Sequence, residues 1–303
     1  MNDILIIGAG AAGMTAALYA LRNGKSVTII ERDTIGGQIA SSPKVENFPT
    51  ILSTSGQELA DKMFEQITSH GAEFKFGEVI SLEKINNIFV ATTEFEKIEA
   101  KSVVIAAGVE HRKLNLENED ALIGHGISYC ALCDGAFYEG EDVSLIGDGN
   151  TALQYALLLS SYCKSVHIYT LFDKFFADEV LIKALKTKEN ILVTHEVELT
   201  KLVGNDTLTG LEFKRKDGTV LSVDTKALFV AIGQVPNNKI YSKLVDLDSQ
   251  GYIVANEDST TKTTGLFVAG DCRTKKVRQL TTACSDGAMA ATVACNYLQL
   301  INE

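Results

Sequence analysis

A glycine-rich segment that occurs twice at a constant spacing is the strongest constraint on the fold of this chain. The first copy, DILIIGAGAAGMTAALYALRNGKSVTIIER (residues 3–32), combines an apolar strand, a GxGxxG turn, an Ala-rich helix and a second strand. The second copy, VSLIGDGNTALQYALLLSSYCKSVHIYTLFD (residues 143–173), aligns with it at an offset of 139, which places Gly147 on Gly8. A strand–turn–helix–strand segment of this kind is a Rossmann unit. The repeat therefore predicts two such units in one chain.

The first copy has each feature that a nucleotide site of this type needs. Gly8 suits the tight turn, Gly10 lets the backbone approach a pyrophosphate, and Gly13 lets the helix pack on the strand. The N-terminus of the helix offers a positive end to the phosphates. Glu31, at the end of the second strand, has the spacing of a carboxylate that binds ribose hydroxyls. We predict nucleotide binding here, against the alternative of a purely structural βαβ unit.

Sequence typical of a flavin domain lies on both sides of the second copy. It comprises strand-like residues 73–80, 88–93 and 102–108 before that copy, and GLFVAGD (265–271) with a small-residue helix at 281–298 after it. Two Rossmann units in one chain usually bind FAD in one and a nicotinamide dinucleotide in the other. We predict an α/β fold of two Rossmann-like (three-layer ββα) domains, the second inserted into the first. The predicted boundaries give an FAD-binding domain at 1–110 and 242–303 and an inserted, CxxC-bearing NAD(P)H-binding-like domain at 111–241.

Composition excludes several classes of protein. The formal net charge of −11 argues against a nucleic-acid partner, which would select for a basic face. No apolar run reaches the ~18 residues of a membrane helix, and the N-terminus lacks the features of a signal peptide. Six cysteines in 303 residues are too few for a disulfide-stapled secreted scaffold. We therefore predict a cytoplasmic protein with no membrane partner.

The segment SYCALCDGAF (residues 128–137) is the candidate for redox chemistry. Cys130 and Cys133 form a CxxC, whose sulfurs lie close enough to cycle between dithiol and disulfide. Asp134 directly follows and is placed to transfer protons during that cycle. Half of a zinc site is one alternative, but no second CxxC or HxxxH follows, and His125 alone does not complete a ligand set. A pair of inert thiols is the other; we predict a redox pair and no metal. The other four cysteines are expected to be small buried hydrophobic residues.

Several motifs, in one order along the chain, resemble those of a single family. They are GAGAAGMTAALYALR, GGQI (36–39), VENFP (45–49), SYCALCDG, AGDC (269–272) and RQLTTACSDGAMAA (278–291). With them the chain resembles the low-molecular-weight thioredoxin reductase family over essentially its whole length. The resemblance implies a homodimeric flavoenzyme with a mobile inserted domain, which reduces the disulfide of thioredoxin.

The resemblance also implies roles for individual residues. Cys133 would lie against the flavin, Cys130 would attack the disulfide of thioredoxin, and Asp134 would be the acid/base. FAD would be held by Gly8, Gly10, Ala11, Ala12, Gly13, Glu31, Gly37, Gln38, Asn47, Asp271, Arg278 and Gln279.

The second copy departs from the NADPH-linked members of that family. Their GGGxSA turn corresponds to GDGNTA here, which puts Asp148 in the phosphate loop. Their HRRxxxR run corresponds to Thr170, Leu171, Phe172 and, at the last position, Phe176. These side chains cannot neutralise a 2′-phosphate, and Thr170 is not the acid that a ribose 2′-hydroxyl would need in an NADH enzyme. We predict that this unit is a retained scaffold without its nucleotide, against the alternative that a cofactor binds through other contacts.

Electrons would then come from another donor. The chain looks most like the ferredoxin-dependent flavin thioredoxin reductases, which keep the CxxC but lack the NADPH motifs. Arg273, Lys275, Lys276 and Arg278, with Arg112 and Lys113, are expected to steer an acidic ferredoxin; the alternative is a solvated loop whose arginine serves the flavin. Two further alternatives stay open. One is an enzyme that uses a deazaflavin or an atypically bound NAD(P)H, and the other is a flavin-loaded redox sensor without turnover.

Overall fold

Residues 1–301 are described by the computed structural model. The chain forms two compact units, one from Met1–Glu110 with the residues from Val235 onwards, and one from His111–Gln234. The first part of unit 1 contains β1 (Asn2–Ile7), α1 (Ala11–Arg22), β2 (Val27–Glu31), α2 (Gly56–Ser69), β3 (Glu73–Phe76), β4 (Val79–Ile85), β5 (Ile88–Thr93) and β6 (Lys97–Ile105).

Unit 2 follows a two-residue strand, β7 (Glu110–His111), at the first boundary. It contains α3 (Glu119–Leu122), β8 (Ile127–Ser128), α4 (Ala131–Asp134), β9 (Asp142–Ile146), α5 (Asn150–Leu159), β10 (Ser165–Tyr169), α6 (Glu179–Leu185), β11 (Ile191–Thr194), β12 (Val197–Val203), β13 (Gly210–Arg215), β14 (Val220–Asp224) and β15 (Leu228–Val230). After β16 (Gln234–Val235) the chain returns to unit 1 with β17 (Leu266–Val268) and α7 (Leu280–Leu300). Among the described residues, no helix is both long and apolar enough to cross a membrane.

The sheet of unit 1 separates two apolar layers. Strands β3, β2, β1, β6 and β17 are parallel in that order, and the first half of β6 pairs with the antiparallel β5–β4 hairpin. Alternation along β1 sends Ile4 and Ile6 into the core under α1 and α7, and Leu5 and Ile7 into the core on the other face. Both faces are covered, which is why β1 reads as a continuous apolar run.

Unit 2 repeats the arrangement with shorter strands. Its parallel sheet has the order β11-β10-β9-β15-β8, and a separate antiparallel sheet has the order β12-β13-β14. Val166 and Ile168 of β10 pack with the α5 core, whereas Tyr169 packs with the residues of β12 and β13 on the other face. The two Rossmann-like folds that the repeat predicts are therefore present, each with three layers.

The second boundary lies earlier than the sequence suggested. We placed it at residue 242, whereas the compact units divide between Gln234 and Val235. Two contacts explain the difference. Tyr241 is buried in the core of unit 1, and the Asn238 side chain donates hydrogen bonds to the carbonyls of Gly251 (2.9 Å) and Cys272 (2.8 Å). The sequence of a strand that ends in glycine and of a Pro-Asn-Asn turn does not indicate in which of the two units the following side chains will be buried.

Candidate active site

The first glycine loop has the shape that its sequence predicts. Gly8 has φ +107°, and a Cβ there would lie 2.3 Å from the carbonyl oxygen of Ala106. A Cβ on Gly13 would lie 1.8 Å from the oxygen of Gly8, so this glycine permits the contact between helix and strand. Gly10 differs, because its Cβ would meet only the oxygen of Gly36, at 3.9 Å. Gly8 and Gly13 are required by the fold, whereas Gly10 leaves open space beside the N-terminus of α1.

Glu31, the last residue of β2, contacts the first glycine loop and also lines a cavity in unit 1. The Glu31 carboxylate accepts a hydrogen bond from the backbone N–H of Ala9 (2.8 Å) and two more from Arg32 and Asp33. The Arg32 guanidinium bridges the carboxylates of Glu78 and Glu110 at the same place. The cavity is lined by Glu31, Gly77, Glu78, Val79, Asn237 and Tyr241. Of these, only Glu31 was identified from the sequence; the others come from two separate stretches of the chain, 77–79 and 237–241, which no local motif connects.

The remaining predicted FAD residues of unit 1 form side-chain hydrogen bonds of their own. Asn47 donates a hydrogen bond from Nδ2 to Oε1 of Gln279 (3.2 Å), and Arg278 donates from Nε to the backbone oxygen of Asp271 (3.3 Å). Ala11 and Ala12 are buried at the start of α1, and Gly37 and Gln38 form the turn Gly37–Ile39 facing Gly10. The Gln38 side chain donates to the backbone oxygen of Val109 (3.2 Å).

These residues fit FAD on two observations. The carboxylate oxygen Oδ1 of Asp271 is buried and has no hydrogen-bond partner within residues 1–301, which suits an acceptor for a cofactor hydroxyl. Burial raises the pKa of this carboxyl, so it benefits from a partner that donates to it. The second observation is the open space at Gly10 beside a helix N-terminus that has no side-chain cap.

The contrast between two glycines gives a direct test of this loop. We expect Gly10→Ala to leave the apoprotein as stable as the wild type, because φ is −77° and the added Cβ meets nothing closer than 3.9 Å. The same methyl group would stand where a pyrophosphate must approach, so FAD should bind at least about tenfold more weakly, a loss of ~1.4 kcal/mol. Thermal melting of the apoprotein and titration with FAD measure the two quantities.

Gly13→Ala is the matched control for that experiment. Its Cβ would overlap the oxygen of Gly8, so we expect the apoprotein itself to melt at a lower temperature. Equal FAD affinity in Gly10→Ala and wild type would contradict the assignment of Gly10.

The redox pair lies in unit 2, at the start of α4. Cys130 and Cys133 form a disulfide, with 5.3 Å between their Cα atoms. Cys130 is the N-cap residue of α4, and its Sγ accepts a hydrogen bond from the backbone N–H of Cys133 at 3.2 Å. An N–H directed at sulfur stabilises negative charge there, so the contact favours a thiolate on Cys130 once the disulfide is reduced.

Ser128 was missed by the sequence analysis. Its hydroxyl donates to Oδ2 of Asp134 at 2.6 Å, and its oxygen accepts from the backbone N–H of Cys130 at 3.0 Å. One buried hydroxyl thus links the proposed acid/base to the backbone of the first cysteine. The available signal was its place in the SYCALCD segment, six residues before Asp134.

The neighbouring Tyr129 is also anchored. Its hydroxyl donates to the buried carboxylate of Glu119, which further accepts the backbone N–H groups of Leu114 (2.9 Å) and Asn115 (2.7 Å). Three of the other cysteines, Cys163, Cys272 and Cys295, are buried as expected, whereas Cys284 is half-buried.

The glycine loop of unit 2 can be compared with that of unit 1 bond by bond. In unit 1 the backbone N–H of Gly36 donates to the oxygen of Ala9 at 2.8 Å; in unit 2 the N–H of Phe176 donates to the oxygen of Asp148 at 2.7 Å. Ala9 and Asp148 are equivalent in the repeat. Phe176 therefore takes the place of Gly36, and a large side chain, 57% exposed, stands where unit 1 has a glycine.

Thr170, which takes the place of Glu31, is buried and forms hydrogen bonds within the protein. Only 1% of its surface is exposed, and its hydroxyl donates to the oxygen of Phe172 (2.7 Å) while pairing with Nδ1 of His195 (2.7 Å). The side chain of Asn150, at the start of α5, exchanges two hydrogen bonds with Asp178. These bonds hold the 171–178 loop beside the helix N-terminus and bring a second carboxylate to it. The exposed residues of this loop include the apolar Leu171, Phe172 and Phe176, together with Asp173, Lys174 and Asp178. The Lys174 ammonium lies 5.4 Å from the centroid of the Phe176 ring.

The basic segment 273–278 was assigned wrongly as a surface patch. Arg273 is buried in a two-point ion pair with Asp286, and the Lys275 ammonium, with a side chain only 7% exposed, lies 2.9 Å from the same carboxylate. Arg278 lies over the ring of Tyr252, with 3.9 Å between guanidinium carbon and ring centroid. Of these four cations, Lys276 alone is exposed. Buried charged side chains are normally paired with a charge of opposite sign. A run of basic residues in the sequence does not show which of them will pair with a carboxylate far along the chain.

Comparison with known proteins agrees with this geometry. Residues 2–287 match the family described as pyridine nucleotide-disulphide oxidoreductase. The chain is 36% identical to thioredoxin reductase of Bacillus subtilis, over 99% of this chain and 96% of the relative. Among solved structures, thioredoxin reductase of Lactococcus lactis in its FR conformation gives a TM-score of 0.96 at 34% identity, covering 99% of this chain and 100% of that one. A ferredoxin-flavin thioredoxin reductase from Clostridium acetobutylicum gives 0.55 at 29% identity, covering 99% and 98%.

Proposed function

Because the chain belongs to the pyridine nucleotide-disulphide oxidoreductase family, and within it to the low-molecular-weight thioredoxin reductases, we propose that it reduces thioredoxin through Cys130 and Cys133 with electrons that reach its FAD from reduced ferredoxin. The disulfide-reductase activity follows from the family. The choice of donor is carried by one observation: the positions of unit 2 that correspond to the HRRxxxR cations hold Thr170, Leu171, Phe172 and Phe176, and the 171–178 loop has Lys174 as its single cation.

FAD would be held by residues of unit 1. The glycine loop and the N-terminus of α1 would take the pyrophosphate, Glu31 would take ribose hydroxyls, and Asp271 with the Asn47–Gln279 pair would take the remaining polar groups. When bound, FAD supplies the capacity to accept single electrons and deliver a pair.

The thiol chemistry falls to three residues of unit 2. Two electrons and one proton convert the Cys130–Cys133 disulfide into a thiol and a thiolate, and the N–H of Cys133 favours the charge on Cys130. The Cys130 thiolate attacks one sulfur of the thioredoxin disulfide and releases the other as a thiolate. Cys133 then attacks Cys130 in the mixed disulfide, which reforms the intramolecular bond and releases reduced thioredoxin. Asp134, oriented by Ser128, transfers the proton between Cys133 and the leaving thiolate.

The case against NADPH is one of lost contacts. Each charge-assisted hydrogen bond to a 2′-phosphate contributes roughly 1.5–3 kcal/mol. Leu171, Phe172 and Phe176 offer none of them, and the hydroxyl of Thr170 is already bonded within the protein. Asp148 lies in the phosphate loop, where a carboxylate opposes a second negative charge.

A second candidate donor, NAD(P)H bound through other contacts, is favoured by one observation. Gly147 keeps the strained turn of a phosphate loop, with φ +145° and a Cβ position only 2.3 Å from the oxygen of Ala231. Gly149 also keeps open space beside the N-terminus of α5. The glycine framework of a nucleotide site is thus intact, although its charge-selecting residues are gone.

The test is an anaerobic comparison of donors. We expect reduced ferredoxin to bleach the oxidised-flavin absorbance of the holoprotein, and oxidised thioredoxin to restore it. NADPH and NADH at tens of micromolar should leave the absorbance unchanged. Rapid bleaching by either nucleotide would favour the second candidate and contradict the first.

Two further expectations from the sequence stay predictions. The homodimer implied by the resemblance can be checked by light scattering of the holoprotein. The cytoplasmic location can be checked by fractionation of the source cells.

A further inference from the structure

The buried ion network around Asp286 has no place in the chemistry above. Asp286 lies in the second turn of α7, and its carboxylate accepts four hydrogen bonds: from the backbone N–H of Gly270 (3.0 Å), from Arg273 twice (2.9 and 2.6 Å) and from Lys275 (2.9 Å). The cations lower the pKa of this carboxyl, so it stays ionised although it is buried.

The bond to Gly270 connects the network to the proposed cofactor site. Gly270 begins the turn Gly270–Cys272, which carries Asp271, and adopts φ +80°. A Cβ on Gly270 would lie 2.8 Å from the Cβ of Ala12, so the turn packs directly on the first turn of α1. Asp286 therefore fixes a turn that packs on the first turn of α1 and carries Asp271, whose Oδ1 has no hydrogen-bond partner among the described residues.

The same network controls the charge near Asp271. The Lys275 ammonium lies 3.8 Å from Oδ1 of Asp271, beyond hydrogen-bond distance, because it is bonded to Asp286 instead. Arg278 donates to the backbone oxygens of Asp271 and Arg273 (both 3.3 Å) rather than to the Asp271 carboxylate. The three nearby cations are thus occupied elsewhere, and Oδ1 is left as an acceptor.

We infer that Asp286 is a positioning residue for FAD. By holding Arg273, Lys275 and the Gly270 N–H, it keeps the Asp271 turn in place and keeps Lys275 from closing onto the Asp271 carboxylate. Without it, two buried cations would lack their partner and the nearest remaining carboxylate is that of Asp271. The inference rests on the FAD assignment of the proposed function, but not on the identity of the electron donor.

The test compares FAD affinity with apoprotein stability in full-length Asp286→Asn. We expect the Kd for FAD, measured by fluorescence titration of the apoprotein, to rise roughly 10- to 100-fold. The reason is that loss of the Asp286 charge should displace the Asp271 turn and let Lys275 pair with the Asp271 carboxylate. The apoprotein should also melt at a lower temperature. A residue that supports only the fold would lower that temperature without changing the Kd.

Asp286→Glu covers the case in which the asparagine variant does not fold. It keeps the charge, but its longer side chain cannot keep the bonds to both Gly270 and Arg273, so the Kd should rise by an intermediate factor. Asp246→Asn is the matched control, since it removes the exposed partner of Lys262 in the same unit (2.9 Å) and should leave the Kd unchanged.

Three outcomes are decisive. A Kd within twofold of wild type in whichever Asp286 variants fold would overturn the inference alone. An equal rise in Asp246→Asn would also overturn it, because the effect would then be one of general charge. Failure of the wild type to bind FAD would overturn the proposed function and this inference with it.

Discussion

Replacing Cys133 with serine should reduce thioredoxin turnover to background, a loss of roughly a thousandfold or more. A serine cannot form a disulfide with Cys130, so no disulfide is available for reduction. Its hydroxyl also cannot displace thioredoxin from Cys130 in the mixed disulfide, so reduced thioredoxin is not released. FAD binding should be unchanged, because all the residues proposed to hold FAD lie in unit 1, whereas Cys133 lies in unit 2. Steady-state reduction of thioredoxin by ferredoxin, beside FAD content, measures both.

Cys284→Ala is the control for this prediction. Cys284 is a half-buried thiol of α7 outside the redox pair, and its replacement should keep turnover near the wild-type value. Cys133→Ser with substantial turnover would mean that the Cys130–Cys133 disulfide is not on the path of the electrons.

The second large effect is a gain rather than a loss. We expect Phe172→Arg/Phe176→Arg to bind NADPH at least about 100-fold more tightly than the wild type, since two charge-assisted bonds at roughly 1.5 kcal/mol or more each become available. Both phenylalanines are about half exposed, so the longer side chains fit without repacking the core. Affinity for NADH, which lacks the 2′-phosphate, should change much less. Equilibrium binding of the two nucleotides gives the result independently of any electron transfer.

Leu192→Arg/Val220→Arg separates this specific effect from a general change in charge. Leu192 in β11 and Val220 in β14 are exposed, and neither lies in the 171–178 loop. The control adds the same two charges to unit 2 and should leave both affinities unchanged. If the loop variant gains no affinity for NADPH, the framework of Gly147 and Gly149 no longer holds a pyrophosphate, and Asp148 becomes the next position to change.

The fold could be predicted because the features that determine it are local and repeated. The offset of 139 between Gly8 and Gly147 reappears as equivalent loops at the ends of β1 and β9. The predicted helix at 281–298 corresponds to α7 (Leu280–Leu300), and the CxxC forms the expected disulfide. Each of these features is encoded within a short continuous segment of the chain, and the repeat only confirms that two such segments are alike.

The features that were missed depend on contacts between distant segments. Arg273 was assigned to the surface because Asp286, its partner, is recognisable only when α7 is folded against the Gly270 turn. Thr170 could be identified as the wrong residue for ribose, but not as a hydroxyl bonded to His195, 25 positions away. Ser128 is local, yet a serine beside a cysteine has many possible partners, and only the folded α4 turn selects Asp134.

The path of the chain through unit 1 also constrains how the protein is made. Strand β17 pairs with the second half of β6, where Leu266 and Val268 lie beside Val103 and Ile105, and α7 packs along α1 in the same core. The ribosome must therefore complete all of unit 2 before it supplies the last strand and helix of unit 1. Unit 2 is a continuous segment and can fold as it emerges, whereas β1 and β6 wait with an apolar face uncovered. During synthesis, unit 2 can therefore fold before unit 1, because the N-terminal strands of unit 1 need β17 and α7 to complete their core.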